Sequence, residues 1–167
     1  LRRKIPGVEG KKIVLYAPTY RGIEPNRVAP DALDFQKLYD GLHEDYILII
    51  KHHQTLRTWP KCPDTIPEGF CYDFSKDKDM DINALLTVTD ILITDYSSLV
   101  FDYAFFARPI LFFTFDEELY GDERGFYYTI PQLDAGPMVK TNEEIVEYIR
   151  NLDKTFDKQK VIDFKNR

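Results

Sequence analysis

Short apolar runs alternate with helix-period segments along this chain, the pattern of β-α-β units around a parallel sheet. Lys12 to Tyr16 is the first such run and stops at Ala17-Pro18. Asp31 is placed to cap a helix reaching about Leu42. Tyr46 to Ile50 is apolar at every position, as a strand covered on both faces must be. An irregular loop is expected from Lys51 to Gly69, with Pro60, Pro63, Pro67 and the chain's single tryptophan, before a short strand at Phe70 to Asp73. From Asp81 an amphipathic helix runs through Val88 and places Ile82, Leu85 and Leu86 on one face. Ile91 to Thr94 is the next strand, and Tyr96-Ser97-Ser98 turns it into a helix through Ala107 that Arg108-Pro109 ends. Ile110 to Phe113 is a further strand, followed by a loop rich in acidic residues. Asn142 is placed as the cap of a helix through Leu152, with Glu143 and Glu144 in its first turn, and a polar tail follows. The fold class expected is α/β, a parallel sheet with helices on both faces.

Composition narrows the picture. The chain has 167 residues, 44% hydrophobic and 14% aromatic, enough for one compact domain with a real core. A net charge of −6 argues against broad nucleic-acid binding, which needs a basic face. It leaves room for one phosphate-bearing small molecule in a locally positive pocket. Cys62 and Cys71 fit no C-x-x-C spacing and read as reduced thiols of a cytosolic protein. No apolar run approaches the ~20 residues of a membrane span, and no signal-peptide pattern is read at Leu1. The opening Leu1-Arg2-Arg3-Lys4, without methionine, reads as a fragment or a processed product.

In an open parallel sheet, ligands bind beyond the carboxyl ends of the strands. Those positions here hold Pro18-Thr19-Tyr20-Arg21-Gly22, Lys51-His52-His53-Gln54, Asp95-Tyr96-Ser97-Ser98 and Thr114-Phe115-Asp116-Glu117-Glu118. These four sets converge on one edge and suit an anion. Ser97 and Ser98 open a helix, where unpaired N–H groups and the helix dipole attract negative charge. One serine can cap while the other meets a ligand. Lys51 is either a phosphate partner or a solvated strand end, and Arg21 is either a ligand contact or a plain surface charge. If strand geometry continued, His52 and His53 would point to opposite sides, with at most one facing the crevice. The Asp116-Glu117-Glu118 cluster suits polyol or ribose hydroxyls or a metal ion, or simple solvation. No histidine-rich spacing supports a metal, and no cofactor is expected.

Taken together, Val14-Leu15-Tyr16-Ala17-Pro18-Thr19-Tyr20-Arg21 and Thr94-Asp95-Tyr96-Ser97-Ser98-Leu99-Val100-Phe101-Asp102-Tyr103 resemble the CDP-glycerol glycerophosphotransferase family, the teichoic acid primases and polymerases. Arg108-Pro109-Ile110 and the stretch from Asp116 to Gly125 before Phe126 add to the resemblance, which covers residues 11–152. It implies one Rossmann-like half of a two-domain GT-B fold, the donor-binding half, with the acceptor half absent from this chain. It implies a CDP-glycerol or CMP site whose pyrophosphate lies at Ser97 and Ser98 with Arg21 nearby. A basic residue, one residue and then a histidine falls on Lys51-His52-His53, which makes His53 the donor-phosphate and catalytic histidine, although Gln54 stands where a proline often follows. Thr19, Arg21, Lys51, His53, Asp95, Ser97, Ser98, Asp102 and Glu118 are the substrate-binding set so implied. The polyol-phosphate acceptor would be met through the other half, and the full-length protein would be peripheral at the inner face of the cell membrane.

Two other readings compete. A UDP-sugar glycosyltransferase or epimerase shares this half-fold but would bring a glycine-rich turn, and Gly-Gly pairs are absent. A non-catalytic phosphate-binding module of the receiver kind would need an acidic pair after the first strand, where Pro18-Thr19-Tyr20-Arg21 stands instead.

Overall fold

In the computed structural model, six parallel strands among the described residues form one sheet in the order β3-β2-β1-β4-β5-β6. The structure describes the backbone of residues 1–124 and 129–167 and the side chains of 1–121 and 129–167. The strands are β1 (Lys12–Tyr16), β2 (Tyr46–Ile50), β3 (Cys71–Asp73), β4 (Ile91–Thr94), β5 (Ile110–Phe113) and β6 (Met138–Val139). The helices are α1 (Phe35–Leu42), α2 (Ile82–Val88), α3 (Leu99–Ala104), α4 (Glu117–Arg124), α5 (Ile130–Leu133), α6 (Asn142–Arg150), α7 (Leu152–Thr155) and α8 (Lys158–Lys165). This is the doubly wound arrangement expected from the alternation, a Rossmann-like unit whose strand order reverses between β1 and β4.

Successive strand residues feed opposite faces, which makes two cores. Ile13, Leu15, Ile47, Ile49, Leu92 and Phe112 pack with α2, α3 and α8, whereas Val14, Leu48, Ile50, Ile93, Leu111 and Phe113 pack with α1 and α6. Each such side chain buried from water is worth roughly 1.5–3 kcal/mol. That double burial explains why these strands read as continuous apolar runs rather than as alternation.

Several boundaries differ from the sequence expectations, among them the start of β3 at Cys71 rather than Phe70 and the end of α6 at Arg150 rather than Leu152. Asp34, not Asp31, caps α1, its carboxylate accepting from the Lys37 amide at 3.0 Å. The cap of α6 is Thr141, in a reciprocal capping box with Glu144. Asn142, expected as that cap, bridges instead to the segment before α1, donating to the Ala32 carbonyl and accepting from the Asp34 amide, both at 2.9 Å. α3 ends at Ala104, because Ala107 takes a left-handed backbone (φ +49°) ahead of Arg108-Pro109. The segment read as an acidic loop is helical over Glu117–Arg124, and the two-residue strand β6 was too short to leave a periodic signal. Gly125 and Phe126 of the resemblance lie outside the described residues. Among the described residues, no helix is long and apolar enough to cross a membrane.

Candidate functional site

The switch point between β1 and β4 is organised by one buried carboxylate. Asp95, 3% exposed, follows β4 and accepts from the Thr19 amide at 2.8 Å, from the Thr19 hydroxyl and from the Tyr96 amide at 2.8 Å. Arg21 reaches it from the β1 loop at 2.9 Å. The same guanidinium grips Asp116 beyond β5 through Nε at 2.6 Å and Nη2 at 3.0 Å, and donates to the Thr19 carbonyl at 2.8 Å. Tyr96, Phe115 and Tyr120 surround it with ring centroids 5.0–5.4 Å from Cζ. Burial pushes the Asp95 carboxyl up, opposed by Arg21 and the Thr19 donors. The Arg21 guanidinium, though also desolvated, is held charged by the two carboxylates. Three strand ends are tied together here.

Next to this cluster, a cleft of about 720 Å³ opens along the carboxyl edge of the sheet. Thr19, Lys51, His53 and Ser97 all line it, as do Trp59 and Lys76. Its size falls within the range of small-molecule sites. Arg21 and Asp95 are not on its wall; they stand behind Thr19 and fix it. Ser98 is exposed and makes no side-chain cap bond, while the Ser97 hydroxyl accepts from the Leu99 amide at 3.2 Å. Thus the serine that lines the cleft is also the one that caps. α3 has only six residues, so its dipole is short and the hydroxyl and turn amides carry the local polarity. Asp102 on α3 and Glu118 on α4 are exposed and stand away from the cleft wall.

The histidines depart from the expected alternation. Both line the cleft, because β2 ends at Ile50 and the strand geometry that would alternate them ends with it. His52 is 3% exposed, its amide donating to Ser75 Oγ at 3.0 Å and its ring 5.7 Å from that of Trp59. Burial pushes its pKa down to about 4. His53 is exposed; Thr55 donates its amide to Nδ1 at 3.3 Å, with the Thr55 hydroxyl at 2.8 Å, which leaves the ring proton on Nε2. Burial and the nearby Arg27 both lower its pKa, so unliganded His53 is a neutral hydrogen-bond donor. Lys51 Nζ donates to the carbonyls of Phe74 and Asp77 at 2.7 and 2.9 Å, bracing the loop after β3, and burial lowers its pKa.

The sequence reading missed Trp59, Ser75 and Lys76. Applying the strand-end rule to β3 as well finds Ser75 and Lys76. Trp59 lies mid-loop, where only the fold brings it to the edge.

A parallel α/β sheet with an anion-suited cleft at its switch point defines a nucleotide- or phosphate-binding class. The family model described as CDP-Glycerol:Poly(glycerophosphate) glycerophosphotransferase matches residues 1–167, and the chain belongs to that family. It is 38% identical over 152 residues to a teichoic acid poly(ribitol-phosphate) polymerase of Bacillus spizizenii, covering 90% of this chain and 24% of that protein. It is 43% identical over 148 residues to a teichoic acid poly(glycerol phosphate) polymerase of Bacillus subtilis, covering 85% of this chain and 19% of that protein. The solved wall teichoic acid polymerase TagF superposes with a TM-score of 0.81 at 31% identity, covering 99% of this chain and 40% of that one. A TagF variant soaked with CDPG superposes at 0.78, also at 31% identity, covering 99% and 39%. The chain therefore spans a quarter or less of these two curated relatives and about 40% of the solved polymerase.

Two outcomes follow from the site's geometry. Arg21→Ala leaves Asp95 buried without its cation, which typically costs about 3–5 kcal/mol; urea unfolding measures it, and a loss under ~1 kcal/mol, the value of a surface pair, would demote the cluster. For His52, the unfolded chain takes up a proton near pH 6.5 that the folded ring refuses until about pH 4. The unfolded state binds more protons across that window, so this contribution falls as pH drops through it. Melting profiles of His52→Asn should be flatter than wild type between those pH values; parallel profiles would refute the assignment.

Proposed function

We propose that this chain is the donor-binding unit of a transferase that moves a polyol phosphate, glycerol phosphate first among them, from its CDP-activated form onto a wall polymer, releasing CMP. The observation that carries this reading is the cleft at the β1–β4 switch point, where Thr19, Lys51, His53 and Ser97 converge. Family membership supports the chemistry, and the CDPG soak of TagF supports the donor class. The acceptor half belongs to the rest of a longer protein, as does any contact with the membrane face.

In this reading, an acceptor hydroxyl attacks the β-phosphorus of CDP-glycerol. A new P–O bond forms to the acceptor oxygen, which loses its proton, and the bond to the bridging oxygen breaks as CMP leaves. Such transfers depend on positioning and on stabilising charge over the phosphoryl oxygens. The Ser97 hydroxyl, the amides of its turn and the His53 Nε2–H are neutral donors suited to those oxygens. Arg21 and Asp95 act through Thr19, holding the β1 loop at the register the phosphates require. A neutral His53 gives the phosphate a hydrogen bond from Nε2–H; an arriving phosphate dianion raises its pKa, and once Nδ1 takes up a proton from solvent the imidazolium passes its Nε2 proton to the leaving CMP. Asp102, Glu118 and Ser98, outside the cleft wall in this chain, are proposed to meet groups presented by the acceptor half.

Calorimetry with CDP, CMP and UDP tests the donor class: cytidine nucleotides should bind and UDP should bind more weakly. Ser97→Ala with Ser98→Ala should reduce CDP affinity by the roughly 1.5–3 kcal/mol of a lost charged hydrogen bond, against about 1 kcal/mol of stability from the cap. Unchanged affinity with a lowered melting temperature would return Ser97 to capping alone.

In the full-length enzyme, His53→Ala should lower kcat/KM by about 10²–10⁴-fold with little loss of stability, because the side chain is exposed. His52→Ala should chiefly lower the melting temperature, since that ring is buried. Equal kinetic losses from both would mean that His53 has no distinct part in the reaction.

A further inference from the structure

The cleft is longer than a diphosphate. It crosses the carboxyl ends of four neighbouring strands, with Ser97 after β4, Thr19 after β1, His52 and His53 after β2, and Ser75 and Lys76 after β3. Three steps between strands about 4.8 Å apart give a span of about 14 Å, the scale of an extended nucleoside diphosphate rather than of two phosphates. Hydroxyls occupy the β1–β4 end. The β2–β3 end has an aromatic wall instead.

That wall is Trp59, half-buried and fixed in place. Its indole Nε1–H donates to Asp73 Oδ2 at 2.6 Å, and the other Asp73 oxygen accepts from the amide and hydroxyl of Ser75. Ser75 Oγ in turn accepts from the His52 amide, so the loop carrying Trp59 is bonded to the ends of both β2 and β3. The ammonium of exposed Lys76 lies 5.2 Å from the indole centroid, a cation–π contact that an arriving ring can displace at small cost. A rigid ring beside a movable cation is the arrangement by which single bases are held through stacking.

Building on the donor-binding reading above, we infer that Trp59 is the stacking platform for the donor's nucleobase. The donor then lies along the cleft with its base at the β2–β3 end and its diphosphate at Thr19 and Ser97. Lys76 swings from the indole toward the α-phosphate side as the base enters.

Trp59 is the chain's single tryptophan, so its emission reports this contact alone. The chain is titrated with CDP, CMP and inorganic pyrophosphate, following emission and heat together. CDP and CMP should quench saturably, while pyrophosphate should bind without quenching. Trp59→Ala should weaken CDP binding about 5- to 150-fold, the range for loss of one stacked base, and leave pyrophosphate affinity unchanged. Trp59→Tyr, which keeps a stacking face, should recover most of the CDP affinity. A purely structural role would weaken CDP and pyrophosphate alike, and that result, or CDP binding without quenching in the wild type, overturns the inference while leaving the donor reading intact. If Trp59→Ala does not fold, the wild-type quenching and Trp59→Tyr decide it. Failure of CDP to bind the wild-type chain at all would overturn the donor reading, and the inference with it.

Discussion

Asp95 is the constraint around which the working edge of this domain is arranged. A carboxylate this deeply buried must be hydrogen-bonded and paired, and its partners are Thr19 and Arg21 after β1 and its own turn through Tyr96 after β4, with Arg21 extending the cluster to Asp116 after β5. Buried ion pairs of this kind are weak contributors to net stability, since well-packed apolar groups often do as well or better. Their distinctive effect is directional. An apolar core would hold the loops together, whereas Asp95 and Arg21 specify which way Thr19 points and where the β5 loop, with Tyr120 stacked on Tyr96, must sit. The cluster is thus better understood as the device that sets the floor of the cleft than as a source of folding energy.

This changes how Arg21 relates to phosphate chemistry. From the sequence, an arginine one step beyond Pro18-Thr19 at a strand end suggests a direct anion partner. In the folded chain its Nε and Nη2 donate to Asp116, its Nη1 donates to the Thr19 carbonyl and lies 2.9 Å from Asp95 as an ion pair, and three aromatic rings enclose the guanidinium. A phosphate would have to displace a charge-assisted bond to reach it. The Ser97 hydroxyl and the His53 Nε2–H on the cleft wall have no charge-assisted bond to displace among the described residues, whereas the Thr19 amide and hydroxyl are already given to Asp95.

What was legible in the sequence follows the range of the interactions involved. The four longest strands, β1, β2, β4 and β5, are marked by local composition, because burial on both faces requires apolar residues along nearly their whole length. The clustering of Thr19, Lys51, His53 and Ser97 was equally accessible, since topology alone brings strand ends to one edge. Caps were less so: Asp31 and Asp34 are both plausible caps three residues apart, and only packing of Phe35 and Leu38 against the sheet selects the second. Asn142 was recognised as polar at a helix start, but its bridge to Ala32 and Asp34 spans 110 and 108 residues, and no local pattern encodes that. The histidine alternation failed for a related reason. The rule holds only while the ladder continues, and β2 stops at Ile50 because the chain there bonds to the β3 loop through Ser75 rather than to another strand.

The loop between β2 and β3 shows the same logic at the other end of the cleft. Its prolines and polar residues offer no periodicity, and on composition it is a connector. Yet Leu56, Ile66 and Phe70 are buried, and Trp59 is bonded to Asp73 across 14 residues. A merely tolerated connector would leave its largest side chain to solvent. Here two short polar links, Trp59 to Asp73 and His52 to Ser75, convert an irregular segment into a fixed wall, as Asp95 converts three loops into a fixed floor. Both devices place a buried polar contact where regular secondary structure ends and the backbone no longer holds itself. The cleft lies between them, so its shape is set before any ligand arrives, and little ordering of the wall remains to be done on binding.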